Sequence, residues 1–465
     1  MAAIAHCYAR NLPSSILNML IFMSCSRQWL SVDQGMQRWR KSMRQTQNER
    51  LTRTDPGTPM GDLFRRYWLP ALTLAELPDA DPVRVPLLGE KLIAIRDSSG
   101  RAAILQEACP HRQASLYFGL CDDGGIRCPY HGWKFDTDGN CLDIPGEPDG
   151  STFHEQIRIT AYPTVQRGGV IWVYMGPPDQ QPEPPAFEWA TLPVENLFVT
   201  RRIQDCNYLQ TMEGGLDSSH LSWLHGGTIL TDTVLGIGGS GTDSRVLDII
   251  ATDRKPVYET LNTAGGLLLG ARRNADETNY YWRITQFIAP CFNIIAPTGD
   301  LTLNAQAWVP LDDQRCWSWA VNYYVDKPLS AAERDAMRKG GGLHVEFVPG
   351  THQGVANHDN DYLLDRPAQR RGESFTGIPS FTMQDAAVQE SQGVIADRTL
   401  EQLVSSDNGI IVTRMLLQQA IEDNRSGKPI PGIDPKSQRP RAGSIIAPEQ
   451  SLESLDKSVL EPLSD

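Results

Sequence analysis

Two short stretches of the chain gather side chains that bind metals. In the first, EACPHRQASLYFGLCDDGGIRCPYHGWKF, Cys109 and His111 form a C-x-H pair and Cys128 and His131 a C-x-x-H pair, with sixteen residues between His111 and Cys128. Two thiolates and two imidazoles suit a [2Fe–2S] cluster in which the sulfurs hold one iron and the imidazoles the other, an arrangement that raises the reduction potential. The same four ligands also suit a structural zinc ion. The loops favour the cluster. A zinc finger usually carries both histidines on a helix, whereas here each cysteine shares a short loop with its own histidine, and Pro110 and Pro129 follow the two cysteines. In the second stretch, NYLQTMEGGLDSSHLSWLHGG, His220 and His225 are five apart and Asp217 stands three before the first. On a helix, positions 217 and 220 share a face. Position 225 joins them if the helix ends near Ser222. Two histidines and a carboxylate form the ligand set of non-haem ferrous iron with open coordination positions.

The elements that must position these residues differ between the two halves of the chain. Residues 52–69 read as a turn and a short helix. Short strands follow at 83–88, 91–96, 102–105 and 170–174, separated by Gly and Asp turns, which predicts a small all-β unit. Pro177, Pro178, Pro182, Pro184 and Pro185 read as a linker. Beyond it, residues 205–225 are polar and helical, 280–288 and 304–311 are long aromatic strands, and 383–423 return to helix, with a start at Ser406 or Asp407. The second half is therefore α+β, an antiparallel sheet with helices packed on it.

The chain has 465 residues, room for two or three domains, and 43 Lys and Arg against 56 Asp and Glu give a net charge of −13. That balance argues against nucleic acid. No stretch reaches the length of a membrane span, and nine cysteines, an odd number with few in pairs, predict a reduced, cytoplasmic setting. The first 44 residues are rich in Arg and poor in acid. They fit a transit peptide or an unstructured extension ahead of a start near Met43. The expected division is 1–45 disordered extension, 46–185 cluster domain with an N-terminal helix, 186–430 mononuclear iron domain and 431–465 flexible tail.

CPHR and CPYHGWKF resemble the Rieske domain of ring-hydroxylating oxygenases. Rieske proteins of cytochrome complexes carry an extra cysteine in each loop, and the corresponding positions here are Ala114 and Tyr130. The iron motif of Rieske oxygenases runs Asn, Gln, Glu, Asp, His, His, which here are Asn207, Gln210, Glu213, Asp217, His220 and His225. The stretch FTMQDAAVQESQGVIADRTLEQLVSSD resembles the phthalate 4,5-dioxygenase-like group, as do NDYLLDRPAQRR and WLPALTLAELP. The likeness runs from about residue 51 to 417.

This resemblance implies an N-terminal all-β Rieske domain and a C-terminal helix-grip catalytic domain. It implies a [2Fe–2S] cluster held by Cys109, His111, Cys128 and His131, with Trp133 over it, while Cys121 and Cys141 have no assigned part. It implies a mononuclear Fe(II) held by His220, His225 and Asp385. Asp397 is the rival third ligand, read as structural through a salt bridge to Arg398. Asp217 and Asn207 take catalytic parts, Asp217 by bonding His220 and a cluster histidine rather than iron. The implied partners are O2, a small aromatic substrate and a separate NADH-dependent reductase with flavin and [2Fe–2S]. The reductase must be separate because the chain has no dinucleotide fingerprint of its own. The implied assembly is a homotrimer or hexamer in which the cluster of one subunit serves the iron of the next. An aromatic carboxylate would need a cation near the iron, for which Arg283 is the candidate, and Ser218 and Ser219 are candidate donors to a substrate oxygen. The competing reading is a Rieske electron carrier without catalysis of its own.

Overall fold

The computed structural model describes residues 43–461 apart from 123, 227–243 and 297–301. The N-terminal half holds three small antiparallel sheets. One joins Val83–Arg84, Leu92–Arg96, Ala102–Gln106 and Ala161–Tyr162 in that order. Its alternation serves two cores at once, because successive side chains of a strand point to opposite faces. Ile93, Ile95, Ala103 and Leu105 pack towards Cys109, Cys128 and Phe135. Leu92, Ala94, Ala102 and Ile104 pack into the main core of the molecule. The strand expected over 83–88 is regular only at Val83–Arg84, with an isolated bridge between Leu87 and Glu90 beyond it. Pro86 lies between the two, and a proline has no N–H to give a ladder.

The proline stretch is not a free linker. Trp68 Nε1 donates to the Pro182 carbonyl at 3.0 Å and Arg167 Nη1 to that of Pro185 at 2.9 Å. Just beyond, Phe187 and Trp189 stack on Trp172, with centroids 5.9 and 5.5 Å away, and Trp172 reaches Phe292 of the second half at 6.1 Å. Aromatic burial of this kind ties the two halves into one core.

The second half is built on an eight-stranded antiparallel sheet. Its order is Leu197–Gln204, Cys316–Tyr323, Leu303–Pro310, Phe292–Ile295, Tyr280–Ile288, Gly266–Asn274 and Val257–Asn262. The eighth strand, Gly443–Ala447, pairs with Tyr280–Ile284 beside the shorter Phe292–Ile295. The expected flexible tail is thereby corrected. Its Leu452, Leu455 and Leu460 are buried against Trp282. The composition of the segment is polar, but its few leucines lie where the sheet needs cover.

Helices Tyr208–Leu216, Phe381–Glu390 and Asn408–Arg425 carry or brace the second metal-ligand group. The helix expected over 383–423 is two helices, the later one following Asp407, with irregular chain between them. The residues read as an N-terminal extension lie outside the described residues up to 42. Met43 is buried, and a helix spans Gln45–Thr52. No helix among the described residues is long and apolar enough to cross a membrane.

Candidate metal centres

The two cysteine–histidine loops have the same local design. Cys109 N donates to Ala114 O at 2.8 Å and Gln113 N to Cys109 O at 2.9 Å. In the second loop Cys128 N donates to Trp133 O at 2.8 Å and Gly132 N to Cys128 O at 3.0 Å. Gln113 and Gly132, each four residues after its cysteine, both take positive φ, 61° and 77°. Two equal turns bring like atoms together. The two thiols are neighbours and buried, and burial pushes the Cys109 thiol up to about 11. The His111 and His131 rings are exposed at the tip, with centroids 4.5 Å apart. Sulfurs inside and imidazoles outside fit a two-iron cluster with one iron for each pair. Trp133 stacks on His111 with ring centroids 4.7 Å apart and 3° between planes. Cys141 is buried with its Sγ 3.6 Å from Asp143 O, and Cys121 is half-buried.

The second centre begins with the Tyr208–Leu216 helix. Asn207 caps its start, accepting from Leu209 N at 3.1 Å and donating to Thr52 O and Asp313 O. This buried amide anchors the helix start and is not among the residues that line the cavity. Glu213 is held between Arg398 at 2.9 Å and Arg414 at 2.6 Å, and Arg414 grips Glu401 with both terminal nitrogens. Burial alone would raise the Glu213 carboxyl, but the two guanidiniums bring it down to about 2. Glycine is required at 215, where a Cβ would meet the Trp308 ring at 2.1 Å.

The helix stops at Leu216, earlier than the shared-face reading required. Asp217 is extended, with ψ 134°, and its carboxylate starts the next turn instead. Oδ1 accepts from Ser219 N at 2.7 Å, and Oδ2 accepts from His220 N at 3.1 Å. Such a side-chain cap is typical of Asp. His220 Nδ1 lies 3.2 Å from the same Oδ2. Across the cavity, the Phe381–Glu390 helix presents three side chains at i, i+3 and i+4. Phe381 stacks on His225 at 3.7 Å, Gln384 Oε1 accepts from His225 Nδ1 at 2.8 Å, and Asp385 Oδ1 faces both rings. That oxygen is 3.6 Å from His220 Nε2 and 3.4 Å from His225 Nε2.

Both imidazoles therefore have Nδ1 held by an acceptor and Nε2 turned to a shared point, the orientation second-layer partners impose on metal-binding histidines. His225 Nε2 is buried and has no hydrogen-bond partner among the described residues. Two imidazole nitrogens and one carboxylate with an open side fit a mononuclear ferrous ion. Burial raises the Asp217 and Asp385 carboxyls, but the facing histidines outweigh it and leave both below the usual range.

Arg283 lines the same cavity, buried, with Nη1 free of any hydrogen bond among the described residues. Ser218 and Ser219 do not line it. Ser218 Oγ accepts from Arg273 at 3.1 Å, and Ser219 Oγ lies 3.3 Å from the Tyr258 hydroxyl. Asp397 is exposed and stabilises its own turn through Thr399, whereas Arg398 pairs with Glu213. Asp397 is thus structural for a different reason from the one expected. Phe381, Gln384, Tyr258 and Arg273 were not singled out in the sequence. The i, i+3, i+4 spacing around Asp385 was the available signal for the first two. Among the described residues a further trio, Asp205, His358 and Glu390, also brings possible ligand atoms within 4.8 Å, in a more exposed setting.

A small β unit with two Cys–His loops, followed by a helix-covered antiparallel sheet with a His–His–Asp cavity, defines a Rieske-type oxygenase. Comparison with known proteins agrees. Residues 67–163 match the Rieske [2Fe-2S] domain family, and residues 173–446 match the family described as LigXa C-terminal domain like. The chain is 36% identical to the 3-chlorobenzoate-3,4-dioxygenase oxygenase subunit of Comamonas testosteroni, over 86% of this chain and 95% of that one. It is 35% identical to the phthalate 4,5-dioxygenase oxygenase subunit of Pseudomonas putida, over 84% and 89%. A mutant of NdmA from Pseudomonas putida CBB5 solved with caffeine shares the fold, with a TM-score of 0.52 at 18% identity over 79% of this chain and 94% of that one. The chain belongs to the Rieske non-haem iron oxygenases, as an oxygenase alpha subunit. It is an oxidoreductase that uses a [2Fe–2S] cluster and a mononuclear iron.

Proposed function

We propose that this enzyme is the terminal component of a multi-component system that acts on an aromatic carboxylate, dioxygenating the ring or removing an alkyl group oxidatively. In this reading Cys109, Cys128, His111 and His131 hold the cluster, within a domain of residues 46–185. His220, His225 and Asp385 hold the iron in the domain that follows. Electrons come from a separate NADH-dependent reductase bearing flavin and [2Fe–2S], and the working unit is a homotrimer or hexamer. Bound at the three-ligand site, ferrous iron supplies the centre at which O2 is activated beside the substrate.

The protein's own residues orient the reactants. Asp217 and Gln384 keep both imidazoles in the metal-binding tautomer. Phe381, Leu343 and Ile295 offer an apolar wall for an aromatic ring. The observation that carries the substrate assignment is Arg283, a buried guanidinium in this cavity whose Nη1 has no partner among the described residues. A buried cation without a partner costs free energy that an anionic substrate would recover.

The test is reconstitution with a reductase, followed by oxygen uptake and product analysis on aromatic acids and their uncharged amides. Turnover on the acids and not the amides is expected. Arg283→Met should raise KM for the acids about 10- to 100-fold, the worth of a hydrogen bond to a charged group. Equal turnover of acids and amides by the wild type would reject the carboxylate. Asp385→Ala should lose the mononuclear iron and keep the cluster, and a variant that retains both would reject Asp385 as the third ligand.

A further inference from the structure

Asp217 offers about four acceptor positions when ionised. Three are filled by its own turn, from Ser219 N to Oδ1 at 2.7 Å and from His220 N and Nδ1 to Oδ2 at 3.1 and 3.2 Å. The fourth is filled from a distant strand. Tyr258, in Val257–Asn262, donates its hydroxyl hydrogen to Oδ1 at 2.9 Å across 41 residues of sequence. The phenol is buried, and burial together with the nearby Asp217 charge pushes its pKa up, so it stays a donor. Its oxygen in turn accepts from Ser218 N. The neighbouring strand contributes Arg273, which grips Ser218 Oγ at 3.1 Å and Ser218 O at 2.6 Å but does not touch the carboxylate.

We propose that Tyr258 is a positioning residue of the reaction, whose hydroxyl pins the Asp217 carboxylate so that Oδ2 stays on His220 Nδ1. The torsion that turns a carboxylate about its last bond is soft, with broad wells. The two backbone N–H groups follow the chain and can donate to either oxygen. Tyr258 is held by the sheet and meets one oxygen from one side, so it selects the orientation. Without its hydroxyl, Oδ1 loses a donor, the carboxylate swings, and the imidazole that Oδ2 orients loses its fixed plane. A cluster imidazole of another subunit, which would have to share an oxygen already bonded within the chain, would then also meet a carboxylate of undefined direction. That last consequence rests on the part that the family resemblance implies for Asp217.

The experiment compares Tyr258→Phe, Arg273→Lys and Asp217→Asn in the assembled, iron-loaded enzyme. Three readouts are taken: metal content, the electron resonance spectrum of the ferrous site with nitric oxide as probe, and kcat and KM separately. Tyr258→Phe keeps the ring and should keep the cluster and most of the mononuclear iron. Its nitric oxide spectrum should broaden, and kcat should fall about ten-fold with KM unchanged. Arg273→Lys, which loosens the same turn without touching the carboxylate, should leave the spectrum as in the wild type. An unchanged spectrum in Tyr258→Phe, or an equal broadening in Arg273→Lys, overturns the proposal. So does loss of the fold or of all mononuclear iron in Tyr258→Phe, since the hydroxyl would then hold the structure rather than the orientation. Wild-type turnover in Asp217→Asn would instead remove the link between subunits, and the Tyr258→Phe spectrum would still decide the positioning claim.

Discussion

Gln384 does for His225 what Asp217 does for His220. Its Oε1 accepts from Nδ1 at 2.8 Å, and its own amide is fixed by donation to Ile378 O at 2.8 Å. The amide is neutral, so it sets the tautomer without adding charge to a buried ring. Gln384→Leu keeps the volume and removes the acceptor, leaving a buried N–H without a partner. Iron affinity in a chelator competition should fall about 10- to 100-fold, while Gln384→Glu, which still accepts, should retain most of it. Full affinity in the leucine variant would show that Phe381 stacking alone holds the ring.

At the scale of elements, the Tyr208–Leu216 helix is tied to the Asn408–Arg425 helix by the Glu213–Arg414–Glu401 network, with Arg398 joining from the chain between. Glu213 is depressed from 4.5 to about 2. A depressed carboxyl contributes stability that is complete above its unfolded value and lost as pH falls towards its folded one. Urea unfolding should therefore weaken between about pH 4.5 and pH 2, by on the order of 3 kcal/mol from this group. Glu213→Gln should lose that pH dependence. It should also destabilise the protein at neutral pH by about 3 kcal/mol, because two buried guanidiniums lose their shared partner.

The C-terminal strand gives a second prediction at this scale. Ending the chain at Ala442 removes the pairing with Tyr280–Ile284 and the leucines over Trp282. Three buried leucines are worth on the order of 5 kcal/mol. The truncated chain should unfold at much lower denaturant or aggregate through the bared edge, and unchanged stability would return the segment to a dispensable tail.

For the whole molecule, the cluster domain exposes the apolar side chains Phe118, Leu120 and Tyr130, and Tyr130 packs on the exposed His131 with ring centroids 3.8 Å apart. Exposed apolar groups beside the cluster histidines fit contact with another protein surface. If the cluster of one subunit serves the iron of its neighbour, subunits with Cys109→Ser and subunits with His225→Ala should each be inactive alone. Mixed oligomers of the two should recover part of the activity. No recovery in oligomers verified to be mixed would exclude electron transfer between subunits.

The sequence by itself made the chemistry of both centres legible, because their candidate ligands, Asp385 apart, are local. Each cluster loop carries its own cysteine and histidine within four residues, and Asp217, His220 and His225 lie within nine. Alternation at 91–96 and 102–105 was equally legible, since a strand's faces follow from period two alone. Only the tertiary structure decided which distant groups complete these local units. Gln384 meets His225 across 159 residues, Tyr258 meets Asp217 across 41, and Arg398 turns from its neighbour Asp397 to Glu213, 185 residues away. A guanidinium binds whichever carboxylate the packing brings near, so adjacency in sequence misled. The same reason explains the C-terminal segment. Its composition describes an average over residues, whereas its fate depended on an open edge of Tyr280–Ile288 beside a strand that stops at Ile295. Whether a strand leaves such an edge is a property of the folded sheet, set by the lengths of its neighbours rather than by the segment that fills it.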